Sequence, residues 1–248
     1  MKVLFITDAH LGAGTDSLDR ERQLCRLIDR ERHGLDMLVL LGDIFDFWFS
    51  YKRVVPRGHT RLLGRLAELH DQGVVIHYFI GNHDMWLFDY LHEEVGAVMH
   101  DDPTTMLIDG KRLLLGHGDG LGHLDRRYDF LKFMFRNRFN QWLFNFLPSR
   151  FSFWVAFGWS GNSRKSHPYD EQHYLGEQRE GIVIWIKEQL DTQQVDYCIF
   201  GHRHTPVDTP VSANGHTTRY VNVGDWITHR TYALMHDGVL TLHDYSQE

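Results

Sequence analysis

Packed β-sheets with helices on the outside, an α/β (α+β) fold, are what this sequence predicts. Over roughly the first hundred residues, short β-branched or apolar runs alternate with helix-like segments. From about residue 104 the pattern changes to alternating strands, with Asp-Gly pairs at 109–110 and 237–238 marking tight hairpins. The chain has 248 residues, 42% hydrophobic and 24% charged, and shows neither an internal repeat nor a low-complexity tract. It is read as a single domain over 1–248 with one insertion at about 121–167.

The elements follow in order. VLFITDAH is a strand that ends in Asp8 and His10. Residues 17–33 read as a helix. DMLVLLGD is a second strand, delivering Asp43 after Gly42. A second helix spans 57–72, with Gly73 as its stop. VIHYFIGNHD ends in Asn82, His83 and Asp84. KRLLLGHGD supplies His117 and Asp119, and VDYCIFGHRH supplies His202 and His204. Asp84 has two readings: a carboxylate that orients His83 or another imidazole, or the N-cap of a helix starting at Met85. Cys25 and Cys198 lie in apolar-periodic segments and read as small buried hydrophobes, not as a disulfide or thiolate metal site.

Net charge is −7, which argues against a protein that coats nucleic acid. No apolar run reaches the roughly 18 residues of a membrane span, and too few apolar residues precede Asp8 for a signal peptide. A cytoplasmic location is expected. Charge is uneven: residues 121–167 hold eight Lys/Arg against two acids, so that segment is +6 and the remainder −13. An anionic partner should meet this segment.

In open α/β sheets, ligands collect at the C-terminal strand ends. Here five strands bring oxygens and imidazoles to that edge and no thiols, which suits Mn²⁺, Fe²⁺ or Zn²⁺. The donors are too many for one tetrahedral ion and about right for two sharing a bridging carboxylate. Singly each motif has a plain structural reading. Of 18 histidines, 13 lie outside these clusters; taken alone, Asp8 and His10 read more readily as a turn, and GHRH as a helix cap or surface loop. Five such endings in sequence, each after a strand, are what favours the metal reading.

D-x-H, GD, GNHD, GH and GHxH, in that order, resemble the calcineurin-like metallophosphoesterase superfamily. The resemblance implies a β-sandwich flanked by helices and a centre of two divalent ions. It assigns Asp8, His10 and His204 to one ion and Asn82, His117 and His202 to the other, with Asp43 bridging. Two such ions acidify a shared water and clamp a phosphoryl oxygen, so the expected nucleophile is a hydroxide. Asn82 and His83 are the expected catalytic groups, Asn82 through its amide and His83 as a phosphate donor or as the acid on the leaving oxygen.

The insertion carries aromatics at near-helical spacing among Arg and Lys, and Pro148 should split it into two helices. An amphipathic, basic, aromatic-rich pair suits an acyl-chain pocket or membrane surface as well as packing on the core. HGDGLGHLDRRYDFLK, the FLP after it, GNSRKS and GDIFDFW are similar to the UDP-2,3-diacylglucosamine hydrolase family of lipid A biosynthesis. That resemblance implies hydrolysis of the pyrophosphate to UMP and 2,3-diacylglucosamine 1-phosphate, with Mn²⁺, peripherally at the cytoplasmic face of the inner membrane. It implies a helical lid and substrate contacts from Asn82, His83, Asp125, Tyr128, Asn162, Arg164, Lys165 and His202. The expected partners are a nucleotide-linked glycolipid and the membrane surface, with no nucleic acid and no protein partner. One departure is plain: this family carries GNRD where this chain has GNHD, with His83 in place of Arg. The competing readings are a metallophosphodiesterase or phosphatase acting on another phosphoester, and a non-catalytic scaffold that has lost its metals.

Overall fold

In the computed structural model, described for residues 1–122, 132–148 and 174–247, two mixed sheets face each other. The first has the order β4-β3-β2-β1-β10-β11. Its strands β1 (Lys2–Ile6), β2 (Met37–Leu40), β3 (Val75–Phe79) and β4 (Val98–His100) run parallel, and β10 (Thr231–His236) and β11 (Val239–Asp244) are antiparallel additions. The second sheet has the order β5-β6-β7-β9-β8, from β5 (Thr104–Ile108), β6 (Lys111–Leu115), β7 (Tyr197–Phe200), β9 (His216–Asn222) and β8 (Val207–Ala213).

Both faces of the central strands are covered, and this is why those strands read as continuous apolar runs. In β1, Val3 and Phe5 enter the layer between the sheets with Leu113, Leu115, Ile199 and Val221. Leu4 and Ile6 face the other way, toward α1 (Ser17–Glu31), α2 (Thr60–Asp71) and α3 (Tyr90–Val95). On the far side of the second sheet, Leu114, Cys198 and Phe200 pack against Ile182, Val183 and Ile186 of α5 (Gly181–Gln189). Cys25 and Cys198 are buried free thiols, as expected, and burial pushes their pKa values to about 11 and about 12.

Both expected helices form, slightly shortened. Gly73 closes α2 with φ +86°: its N–H meets the His70 carbonyl at 2.9 Å and the Val74 N–H meets that of Leu69 at 3.0 Å. The Asp-Gly hairpins also form, with both residues of each pair at positive φ. Asn214-Gly215 turns β8 into β9 in the same way and was not anticipated. The second sheet is not all hairpins, however: β6, β7 and β9 pair in parallel, through crossovers.

In the insertion, α4 (Arg138–Phe144) is capped by the Asn137 side chain, which accepts from Phe139 and Asn140, and it ends before Pro148. Phe135 and Phe144 pack on Phe47, Phe49 and Trp86, whose indole N–H reaches the Phe135 carbonyl at 2.8 Å. The insertion therefore stands on the two loops that follow β2 and β3.

His77 on β3 places Nδ1 2.8 Å from Nε2 of His100 on β4. Burial, and secondarily His100, pushes the His77 pKa from 6.5 down to about 4. The unfolded chain takes up this proton near its ordinary pKa and the folded chain only near the lower value. Stability is thus full above the unfolded pKa, falls as pH drops through the window between the two, and levels off below it. Thermal melts from about pH 7.5 to about pH 4 should show that decline, shallower in His77→Leu; equal slopes would contradict it.

Candidate metal centre

Asp8 and His10 follow β1, Asp43 follows β2, Asn82 follows β3, His117 follows β6, and His202 and His204 follow β7. Loops from both sheets thus meet at one edge, laced by backbone bonds: Asp8 N–H to Gly42 O at 3.1 Å, His10 N–H to Asp43 O at 2.9 Å, and Gly201 N–H to His117 O at 2.9 Å. The approach is close enough that a Cβ on Gly81 would sit 2.2 Å from Asp43 Oδ1. A Cβ on Gly201 would sit 2.0 Å from Thr7 Oγ1. Glycine before Asn82 and before His202 is therefore a packing requirement. Asp8, His10, Asp43, His202 and His204 all have φ between +42° and +68°. Such backbone is costly for side-chain-bearing residues and concentrates at functional sites.

The side chains form two adjoining clusters. In one, His10 Nε2 lies 3.2 Å from His204 Nε2 and 3.6 Å from Asp8 Oδ1, which is 3.3 Å from His204 Nε2. In the other, His117 Nε2 lies 3.2 Å from Asn82 Oδ1 and 3.4 Å from Asp43 Oδ2, and the His202 ring centroid is 5.1 Å from that of His117. Asp43 Oδ2 is also 3.8 Å from His10 Nε2, so this carboxylate stands between the clusters. Atoms each about 2.1 Å from one ion lie roughly 3–3.5 Å from one another, and the distances here, 3.2 to 3.8 Å, are at or just above that spacing.

The hydrogen bonds leave the inward atoms available. Asp8 Oδ2 accepts from Thr7 Oγ1 at 2.6 Å and His202 N–H at 2.8 Å, whereas buried Asp8 Oδ1 has no hydrogen-bond partner. Asp43 Oδ1 accepts the His83 N–H at 2.8 Å. His117 Nδ1 meets the Leu41 carbonyl at 2.8 Å, which fixes the tautomer and leaves Nε2 with its lone pair toward the cluster. Fully buried carboxylates facing imidazoles with one oxygen orphaned fit a pair of divalent cations.

The proton affinities express the same imbalance. Burial alone would raise the Asp43 carboxyl, but His117, His83 and His10 outweigh it and hold the group well down. Asp8 is held down against burial by His10 and His204. His10 rises to about 10 against burial, through Asp46 and Asp8, and His117 rises well above its usual value through Asp43. His202 falls to about 3, from burial and then from the charge on His117. The negative charge in the cage therefore draws in protons where cations would otherwise bind.

Three acidic residues have roles that the sequence did not reveal. Asp46 lies 3.4 Å from His10 Nδ1 and 3.6 Å from His83 Nδ1 through the same oxygen, and its carbonyl is 3.1 Å from His83 Nδ1. It comes three residues after Asp43, in a loop with no strand or helix period to flag it. Asp225 lies 3.7 Å from His204 Nδ1 and accepts the Thr228 and His229 N–H groups at 3.0 and 2.8 Å. Its setting, YVNVGD, repeats the strand-Gly-Asp pattern that identified Asp43. Asp119 pairs with Lys132 of the insertion at 2.8 Å.

Asp84 fills neither expected role. No helix starts at Met85, and the buried carboxylate accepts from Ile44, Phe45 and Gly81 N–H and from the Tyr78 hydroxyl, tying the loops after β2 and β3 together. Asp125, Tyr128, Asn162, Arg164 and Lys165 lie outside the described residues.

Residues 1–206 match the sequence model of the family described as calcineurin-like phosphoesterase. The chain is 38% identical to a UDP-2,3-diacylglucosamine hydrolase of Porphyromonas gingivalis, across 97% of this chain and 96% of that protein. It is 29% identical to the enzyme of the same name from Aeromonas salmonicida, across 91% and 86%. Among solved structures, Yfce, a phosphoesterase from E. coli, covers 100% of this chain and 94% of its own at 18% identity, with a TM-score of 0.50, a likeness of fold.

Proposed function

The chain belongs to the calcineurin-like phosphoesterase family, and on that premise we propose that it hydrolyses the pyrophosphate of UDP-2,3-diacylglucosamine to UMP and 2,3-diacylglucosamine 1-phosphate. The observation that carries the reaction is the position of the buried Asp43 carboxylate between two imidazole clusters. The substrate is supported by the near-full-length relationship to the Porphyromonas gingivalis hydrolase.

Asp8, His10, His204 and Asp43 would hold one divalent ion, and Asn82, His117, His202 and Asp43 the second. When bound, such a pair supplies Lewis-acid charge and lowers the pKa of water beside the phosphorus. We take Mn²⁺ as the ion, in keeping with an oxygen and imidazole donor set.

The chain's own groups do the rest. Asn82 turns its carbonyl oxygen toward His117, leaving its amide to donate to a phosphoryl oxygen. His83 stands edge-on to His10 with ring centroids 4.7 Å apart, and its Nδ1 is anchored on Asp46. Burial lowers the His83 pKa while Asp43 and Asp46 oppose that fall, so an incoming phosphate anion adds to the charge that favours the imidazolium. His83 then supplies positive charge and a hydrogen bond where the lipid A relatives are expected to use Arg. A sugar 1-phosphate leaving group, with a last pKa near that of phosphoserine at about 6, hardly needs a proton.

The insertion supports an apolar substrate. Phe133, Phe139, Trp142 and Phe146 are 63%, 65%, 56% and 65% exposed, while Phe135 and Phe144 hold the stem to the core. Exposed aromatics beside basic residues suit acyl chains and the membrane surface. We read the protein as acting peripherally at the cytoplasmic face of the inner membrane, with the whole chain as one unit. No helix among the described residues is long and apolar enough to cross a membrane. Asp125, Tyr128, Asn162, Arg164 and Lys165 are proposed to hold the sugar phosphate from the insertion.

A second reading, a phosphodiesterase for esters with alkoxide leaving groups, is favoured by the Asp46–His83 pairing, which can deliver a proton. Incubation with the acylated UDP-sugar and Mn²⁺, beside a small chromogenic diester, separates the two. UMP release far faster than diester cleavage is expected. Efficient diester cleavage without UMP would install the second reading.

A further inference from the structure

The turn that presents His202 and His204 is strained, and a group outside the cage holds it. Arg203 N–H donates to Gly201 O at 2.8 Å and Thr205 N–H to Arg203 O at 2.5 Å. Two three-residue turns therefore follow one another, centred on His202 (φ +68°) and His204 (φ +53°). Turns of this kind with positive φ at the centre are rare and strained. Relaxing either one would swing an imidazole out of its cluster.

Arg203, the residue shared by both turns, places Nε 2.7 Å from Glu180 Oε1, with the two side chains 14% and 2% exposed. Glu180 immediately precedes α5, which is packed under the second sheet through Ile182, Val183 and Ile186, so the carboxylate is anchored to a rigid element. Its other oxygen accepts the Leu175 N–H at 3.5 Å, on the segment that returns the chain from the insertion. A buried ion pair is a poor source of net stability, because desolvation offsets its attraction, which leaves the placement of the turn as the role to be tested for this one.

We propose that Glu180 and Arg203 form a positioning pair that holds the histidine-bearing turn in its strained shape and thereby sets the affinity of the centre for divalent ions. This rests on the two-cation reading above. Neither residue is among the seven candidate ligands; both act through His202 and His204.

The test is Mn²⁺ titration of the metal-free protein, followed by electron paramagnetic resonance of the free ion. It compares the unmodified chain with Glu180→Gln, Arg203→Met, Arg203→Lys, the double variant Glu180→Gln/Arg203→Met, and Arg219→Met. The last removes the Arg219–Asp208 pair (2.6 Å), where β9 pairs with Tyr197 at the opposite end of β7 from the cage. Glu180→Gln and Arg203→Met should each weaken Mn²⁺ binding by about 10- to 100-fold. The double variant should be no worse than the weaker single, Arg203→Lys should recover part of the loss, and Arg219→Met should bind normally. Should Arg203→Met fail to fold, the isosteric Glu180→Gln decides. Unmodified affinity in Glu180→Gln overturns the proposal while leaving the metal centre intact. Failure of the unmodified chain to bind Mn²⁺ overturns both.

Discussion

Asp43→Asn should fold and yet lose turnover by roughly a thousandfold or more. Asparagine keeps the shape and still accepts the His83 N–H through Oδ1, so the loop after β2 retains its tie to the loop after β3. The change falls on the other atom. Oδ2 faces His10 at 3.8 Å and His117 at 3.4 Å, and an amide there offers N–H groups where an anion shared by both clusters is needed. Because His117, His83 and His10 outweigh the burial cost of this carboxylate and hold its pKa down, its loss removes stability at neutral pH, so the metal-free variant should melt below the temperature of the unmodified protein. Steady-state turnover and thermal melts of the same preparation check the two halves. Near-normal turnover would remove Asp43 from the bridging position.

Asp84→Ala should have the largest effect on stability. The side chain is fully buried and receives Ile44 N–H at 2.9 Å, Phe45 N–H at 3.4 Å, Gly81 N–H at 2.9 Å and the Tyr78 hydroxyl. Burial and the charge on Asp43 push its pKa up to about 6, so it remains mainly ionised at neutral pH. Truncation strands those donors in a site with no water-facing side. At about 1–3 kcal/mol for each stranded group, and allowing for local relaxation, the loss should be about 4 kcal/mol. Denaturant unfolding of the metal-free proteins measures it. A loss below about 1 kcal/mol would mean that the loops after β2 and β3 are held together by other contacts.

These cases show which parts of the molecule could be read in the sequence. The strand ends were legible because the central strands are buried on both faces: VLFI and MLVL cannot be surface segments, and the polar residues after them must emerge at an edge. The Asp-Gly turns were legible because they need positive φ at adjacent positions. Asp84 was misread because its sequence neighbours suggest a helix cap, whereas its partners at Ile44 and Phe45 lie some forty residues away in the chain. Asp46 and the Glu180–Arg203 pair follow no period at all; only the packing of the loops after β2 and β3 brings Asp46 to His83, and only the docking of α5 on the second sheet brings Glu180 to the histidine turn. The parallel pairing of β6, β7 and β9 was hidden because strand patterns do not encode strand direction.

The most direct test of the central claim, that these loops enclose two neighbouring cations, is a count of bound Mn²⁺ with the magnetic coupling between the ions. The account predicts two equivalents per chain and a spin-coupled resonance that Asp43→Asn abolishes. One equivalent, or two ions without coupling, would contradict it.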